Sequence, residues 1–150
     1  MPTVTRTAHT PAPRDVVVHY LRDFANAEEW DAGTISCTPV DDSPVAVGKQ
    51  WTNVSEFRGR ETTLTYTLER DEAEHLRIVG RNKTVTSEDD LSLSPSSDGG
   101  TDVSYTATFT FHGAAKLATP LLVPALGKLA DDAQRTLQGA LEKLPTAPRD

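Results

Sequence analysis

Cysteine is nearly absent: Cys37 is the only one in 150 residues, so no internal disulfide framework exists and the fold must rest on its own core. Histidine is sparse as well. His9, His19, His75 and His112 show no HxH, HxxxH or Cys-His spacing, so neither a zinc site nor a histidine-based nucleophilic triad is indicated and no metal is expected. The glycines stand singly or in the turn SDGG, without a GxGxxG or GxxxxGK phosphate loop, and no nucleotide or other cofactor is implied. No apolar run reaches membrane-spanning length and no basic-then-apolar segment opens the chain, so stable membrane insertion is not expected and the expected compartment is the cytoplasm. Positive charge is in deficit, with 15 Lys and Arg against 22 Asp and Glu and a net charge of −7. That balance opposes binding to phosphate backbones, so nucleic acid is not an expected partner, and the acidity itself reads as solvated surface.

What is present is patterning. TVTRTAHT reads as a Thr-rich strand, and APAPRDVVVHYLRDF as a helix with Pro13 near its start and Val17, Tyr20, Leu21 and Phe24 on one face. NAEEW predicts a second short helical turn ending near Gly33. Six strand patterns follow to about residue 112, in TISCTPV, KQWTNVSEF, TTLTYTLER, HLRIVGRN, TVTSEDDLSLS and TDVSYTATFTFH. The breaks DDSPVAVG, RGR, DEAE and SPSSDGG are short, which favours antiparallel neighbours. Leu122, Leu126, Leu129, Ala133, Leu137, Ala140 and Leu144 then recur at helical spacing, as one long amphipathic helix. Pro120 and Pro124 predict that the regular helix is confined to the residues after them, with a turn or kink ahead. A single domain spanning residues 1–150 is expected, with a frayed tail from about residue 145.

Strand phase selects the inward side chains. Leu64, Tyr66 and Leu68 set one strand, Leu76 and Ile78 the next, and Leu91 with Leu93 the sixth; the same phase carries Asn53, Ser55, Asn82, Ser87 and Asp89 inward. All nine aromatic residues, Tyr20, Phe24, Trp30, Trp51, Phe57, Tyr66, Tyr105, Phe109 and Phe111, fall on the inner side. Cys37, with Ile35 taken in phase, reads as a buried small apolar residue rather than a reactive thiol.

The order of strand, two short helices, six antiparallel strands and a long terminal helix resembles the START-like, or SRPBCC, superfamily. The likeness spans nearly the whole chain. APRDVVVHYLRDFANAEEWDAG resembles the family's first-helix signature, VGKQW its Gly-led third strand, and DDLSLSPSSDGGTDVSYTATFTFHG its last hairpin before the final helix. Together they most resemble the polyketide cyclase/dehydrase and lipid-transport branch. The resemblance implies an α+β helix-grip fold, a seven-stranded antiparallel sheet wrapped round the C-terminal helix with two short helices between strands 1 and 2. It also implies an apolar cavity between sheet and helix that holds a small hydrophobic molecule.

On that layout the ligand-facing candidates are Trp30, Trp51, Asn53, Phe57, Tyr66, Ser87, Tyr105, Phe109, Leu126, Leu129 and Ala133. Each has a plain alternative. Phe109 and Phe111 serve equally as packed core, Trp30 as an anchor of its short helix rather than a lid, and the tyrosines as donors to backbone. Asp89 is the foremost titratable candidate, since an inward carboxylate in apolar surroundings suits acid-base work. Its neighbour Asp90 makes an outward or hydrogen-bonded Asp89 the stronger expectation, because a one-residue bulge exchanges the two. Two functions are therefore carried forward: a binding or transport protein for a lipid, polyketide or quinone-like molecule, and a polyketide cyclase, aromatase or dehydratase using Asp89, Tyr66 or Tyr105. A protein-interaction role is a third, and the oligomeric state is left open.

Overall fold

The computed structural model describes residues 2–146; residues 147–150 of the expected frayed tail lie outside them. In chain order the elements are β1 (Thr3–Thr10), α1 (Arg14–Arg22), a 3-10 turn (Phe24–Asn26), α2 (Ala27–Trp30), β2 (Thr34–Pro39), β3 (Gln50–Phe57), β4 (Arg60–Glu72), β5 (His75–Arg81), β6 (Val85–Pro95), β7 (Thr101–Phe111), a second 3-10 segment (Gly113–Ala118) and α3 (Thr119–Glu142). The strands form one antiparallel sheet in the order β1-β7-β6-β5-β4-β3-β2. Consecutive strands from β2 to β7 are neighbours, as their short connections require, and β1 closes onto β7. The β3–β4 hairpin turns through Arg58 and Gly59, both at positive φ (55° and 78°), the paired left-handed conformation of the tight turn that matches strand twist.

The β6 ladders run without a register shift from Val85 to Pro95, and no bulge separates Asp89 from Asp90. Asp89 therefore points inward at 3% exposure; of the two alternatives expected for it, an outward or a hydrogen-bonded side chain, the structure has the second, with the Tyr105 hydroxyl as its partner. Asp90 takes the outer face, where it bonds His75 Nε2 at 2.8 Å and Arg77 at 2.9 Å. In β2 the register does shift, between Thr34 and Ser36. The irregularity turns Ile35 outward, 51% exposed, while Cys37 remains buried. The expectation that both share one phase fails at that bulge.

The terminal helix begins earlier than its prolines suggest. Pro120 stands in the first turn, where amide donors have no helical partner, and Pro124 lies within the helix. Pro124 removes one intrahelical hydrogen bond at a solvent-exposed position, where water can satisfy the released Pro120 carbonyl, so the helix continues through it. Its buried stripe is Leu126, Ala130, Ala133, Leu137, Ala140 and Leu141; Leu122, Leu129 and Leu144 are half-buried.

The two halves of α3 meet different surroundings. Leu137, Ala140 and Leu141 join the packed core with Val17, Leu21 and Phe24 from the first helical segments. This half is tied down by polar contacts: the Thr10 hydroxyl donates to the Leu141 carbonyl at 2.9 Å, and Thr136 Oγ1 to the Trp30 carbonyl at 2.6 Å. Phe24 sits among Tyr66, Trp30 and Trp51 with ring centroids 4.5, 6.0 and 6.1 Å away. This aromatic plug fills one end of the sheet's concave face, each ring removing a large apolar area from water. The amino-terminal half of α3 roofs the other end.

Candidate functional site

A cavity of about 440 Å³ occupies that second end. Leu126, Leu129, Ala130 and Ala133 of α3 form its roof, and Ala107, Phe109 and Phe111 of β7 with Val4 of β1 form one wall. Phe57, Leu64 and Tyr66 from β3 and β4 form the opposite wall, with Ser87 and Asp89 of β6 on the floor. Two leucines and two alanines face the space from the helix and aromatic residues from the sheet, which leaves room for a flat or compact apolar molecule.

The sheet register builds the polar floor. Tyr66, Gly80, Ser87 and Phe109 are successive cross-strand partners on β4, β5, β6 and β7. At Gly80 an added Cβ would lie 2.6 Å from the Tyr66 ring, so the ring lies across the bare glycine, with Phe24 packed on it at 4.5 Å. Glycine is required here by close approach rather than by φ. The absence of one side chain thus holds Tyr66 in place.

Tyr105 and Asp89 form the second polar feature. The Tyr105 hydroxyl donates to Asp89 Oδ1 at 3.0 Å, and both residues are buried. No donor among the described residues reaches the other Asp89 oxygen. Burial raises the Asp89 carboxyl to about 8, and the negative charge of Asp31 adds to the rise, while the Tyr105 hydrogen bond opposes it. Near neutrality Asp89 is therefore mostly a neutral acid. The Tyr66 and Tyr105 phenols are both held well above 10, first by burial and then by Asp89.

Asp31, just after α2, is a lining residue that the sequence pattern does not single out. Its carboxyl is also raised, by burial, against the opposing effect of donors from Thr34 Oγ1 at 2.9 Å and the Gly33 amide at 3.3 Å. A relay supports it: Ser55 Oγ donates to Asn53 Oδ1, Asn53 Nδ2 donates to Thr34 Oγ1 at 3.1 Å, and Thr34 donates to Asp31. Alternation cannot find Asp31, because it lies between elements. The one available signal is its place two residues before Gly33 and three before Thr34, an Asx-turn spacing.

The structure brings Phe57, Tyr66, Ser87, Asp89, Tyr105, Phe109, Leu126, Leu129 and Ala133 to the cavity. Trp30, Trp51 and Asn53 are buried but lie behind its walls. Trp30 packs edge-on against Tyr105, with centroids 5.8 Å apart, and does not stand at the mouth. Trp51 pairs with Tyr66 across the strands and backs the aromatic plug. Asn53 acts through Thr34 on Asp31 rather than on the cavity. Cys37 is buried, with its thiol pushed up to about 12, chiefly by that burial, which is an inert setting. No cluster of three or more His, Cys, Asp or Glu side chains suited to a metal occurs among the described residues, and no helix among them is long and apolar enough to cross a membrane.

This arrangement of sheet, helix and intervening cavity is the START-like architecture. A START superfamily protein from Mycobacterium smegmatis shares it at 12% identity, over 94% of this chain and 97% of its own, with a TM-score of 0.76. The Zhui aromatase/cyclase from Streptomyces sp. R1128 is 14% identical over 93% of this chain and 92% of its own, also with a TM-score of 0.76. The di-domain ARO/CYC BexL is 13% identical over 95% of this chain and 50% of its own, with a TM-score of 0.69. Identities this low establish the fold alone. The model of the family described as polyketide cyclase / dehydrase and lipid transport matches residues 1–147, and the chain belongs to that family. No curated protein matches the sequence.

Proposed function

We propose that the protein binds one small, mostly apolar molecule in this cavity and orients it through a hydrogen bond at Asp89. The observation that carries this reading is the meeting of a buried carboxyl, held by the Tyr105 hydroxyl at one oxygen, with an apolar chamber of about 440 Å³. Protonated Asp89 keeps Oδ1 as the acceptor for Tyr105 and has its own O–H free to donate to a carbonyl or hydroxyl oxygen of the ligand. The apolar part gains roughly 25 cal/mol for each Å² withdrawn from water. A neutral aromatic alcohol, 1-naphthalenemethanol, tests this by calorimetric titration. Saturable one-to-one binding with a negative heat-capacity change is expected; heats that never saturate, or a stoichiometry set by surface sites, would count against the cavity.

A second reading is favoured by the two carboxyls. Two hydrogen bonds favour ionised Asp31, whereas Asp89 receives one and faces the Asp31 charge. Groups in such unequal settings suit acid-base chemistry, with Asp89 giving a proton to a substrate oxygen. Membership of the polyketide cyclase / dehydrase and lipid transport family makes a cyclisation or dehydration on a polyketide-like substrate the reaction to assay. An Asp89→Asn variant that turns over such a substrate at the parent rate would remove Asp89 from the chemistry.

A further inference from the structure

We infer that the cavity selects its ligand by charge: among apolar molecules otherwise alike, it takes the one bearing a basic amine and rejects the one bearing a carboxylate. The inference rests on the proposal that the cavity binds a small apolar molecule, and it narrows the class of that molecule. Its observation is the composition of the lining. Asp31 and Asp89 face the space, Glu56 and Glu61 stand as cross-strand partners among the lining residues, and no Lys, Arg or His is part of it. Neither glutamate forms an ion pair among the described residues. The Lys and Arg residues adjacent in sequence to lining residues, Arg58, Arg60, Arg81, Lys83 and Lys128, are all exposed and are not lining residues; Arg81 pairs with Glu69 and Lys128 with Asp132.

The physical consequence follows from what a buried ligand charge would meet. A carboxylate entering this space would lose its water, find no cation, and set a further negative charge beside the Asp31 and Asp89 carboxyls, opposing the ionisation of either. An ammonium would instead find two carboxyl groups, one of them 3% exposed and with an oxygen that no described donor occupies. An ammonium N–H donating to that oxygen forms a charge-assisted hydrogen bond, stronger than the neutral kind and worth more where water is excluded. The groups facing Asp89 are Asp31 from the segment after α2, Tyr66 of β4 and Tyr105 of β7. None is a cation, so nothing in the protein itself neutralises the pair. The Asp90 charge on the same strand is answered on the outer face by Arg77.

Proton linkage gives the inference its own signature. Binding an ammonium requires ionised Asp89, so complex formation releases a proton, and affinity for the amine rises with pH until Asp89 is fully ionised. For a carboxylate the dependence runs the other way.

The test uses three probes with one ring system, 1-naphthylmethylamine, 1-naphthalenemethanol and 1-naphthoic acid, titrated into the whole protein at pH 6, 7 and 8. The amine is expected to bind at least tenfold more tightly than the acid at pH 7, with an affinity that rises from pH 6 to pH 8. Asp89→Asn should bring the amine-to-alcohol affinity ratio down towards one and remove the rise, while the distant exposed Glu72→Gln leaves both unchanged. Should Asp89→Asn fail to fold, Asp31→Asn is expected to reduce the same ratio. An acid that binds as tightly as the amine, or an amine affinity flat with pH, overturns the charge selection while leaving the cavity reading intact. Binding of none of the three overturns the cavity reading and this inference together.

Discussion

The Tyr105 hydroxyl and Asp89 Oδ1 lie 3.0 Å apart at the floor of the cavity, two polar groups closed off from bulk water. The native fold keeps the Asp89 proton up to about pH 8, whereas an unfolded aspartate releases it near pH 4. Between those values the native state binds more protons than the unfolded one, so this residue's effect is to lower stability as pH rises, levelling off above about 8. Asp89→Asn removes that dependence and keeps an oxygen for Tyr105. Thermal unfolding should show the variant more stable than the parent at pH 8, by roughly 1 kcal/mol or more, with the gap closing towards pH 4. A gap independent of pH would contradict the buried carboxyl.

Gly80 carries a prediction about position rather than charge. A methyl group there would stand 2.6 Å from the Tyr66 ring, and that ring is already packed against Phe24. Gly80→Ala should cost about 1 to 3 kcal/mol through overpacking and weaken binding of 1-naphthalenemethanol, because the displaced ring moves into the cavity wall. Unfolding and titration of the variant check both; unchanged values would mean that the ring finds another place without cost.

How far the sequence carried these residues depends on periodicity. Asn53 and Ser87 could be placed inward because Leu64, Tyr66, Leu68, Leu91 and Leu93 set the phase of their strands, whereas the choice between Asp89 and Asp90 rested on whether a bulge separates them, which the unshifted ladder decides. The same reasoning misplaced Ile35, since the register shift in β2 leaves no trace in the alternation. It also could not say where along the inner face packing ends and the cavity begins. Trp51 and Asn53 point inward, yet Phe24 and its neighbours fill that end, and only the long-range docking of the first helical segments decides it. Asp31 belongs to no periodic element, and its burial comes from contacts distant in sequence.

The roof supplies a third prediction. Ala133 is 4% exposed and faces the cavity from α3. Ala133→Phe places its ring into open space, so the melting temperature should change little while binding of the naphthalene alcohol is lost. Overpacking in a closed core would cost roughly 1 to 3 kcal/mol instead, and a large fall in melting temperature would show that the space is already filled.

His9 sets a pH response away from the cavity. Its ring nitrogens lie 2.8 Å from Asp102 and 2.9 Å from Asp98, and these hydrogen bonds, Asp102 first, raise its pKa above the usual value near 6.5. The associated stabilisation is complete below about pH 6.5 and is lost as pH rises through the higher folded value. An NMR titration should place the His9 midpoint above 6.5, and Asp102→Asn should lower it; a midpoint unmoved by that substitution would mean that the contact is not maintained in solution.

The most direct measurement of the central claim follows the alanine methyl groups by NMR while 1-naphthalenemethanol is added. Ala107, Ala130 and Ala133 line the cavity from β7 and α3, and Ala114 is exposed at the start of the segment between them. If the cavity takes the ligand, the first three methyl signals shift together along one saturating curve and Ala114 stays still. Shifts confined to Ala114 and other surface methyls, with the three cavity signals unmoved at saturation, would contradict the account.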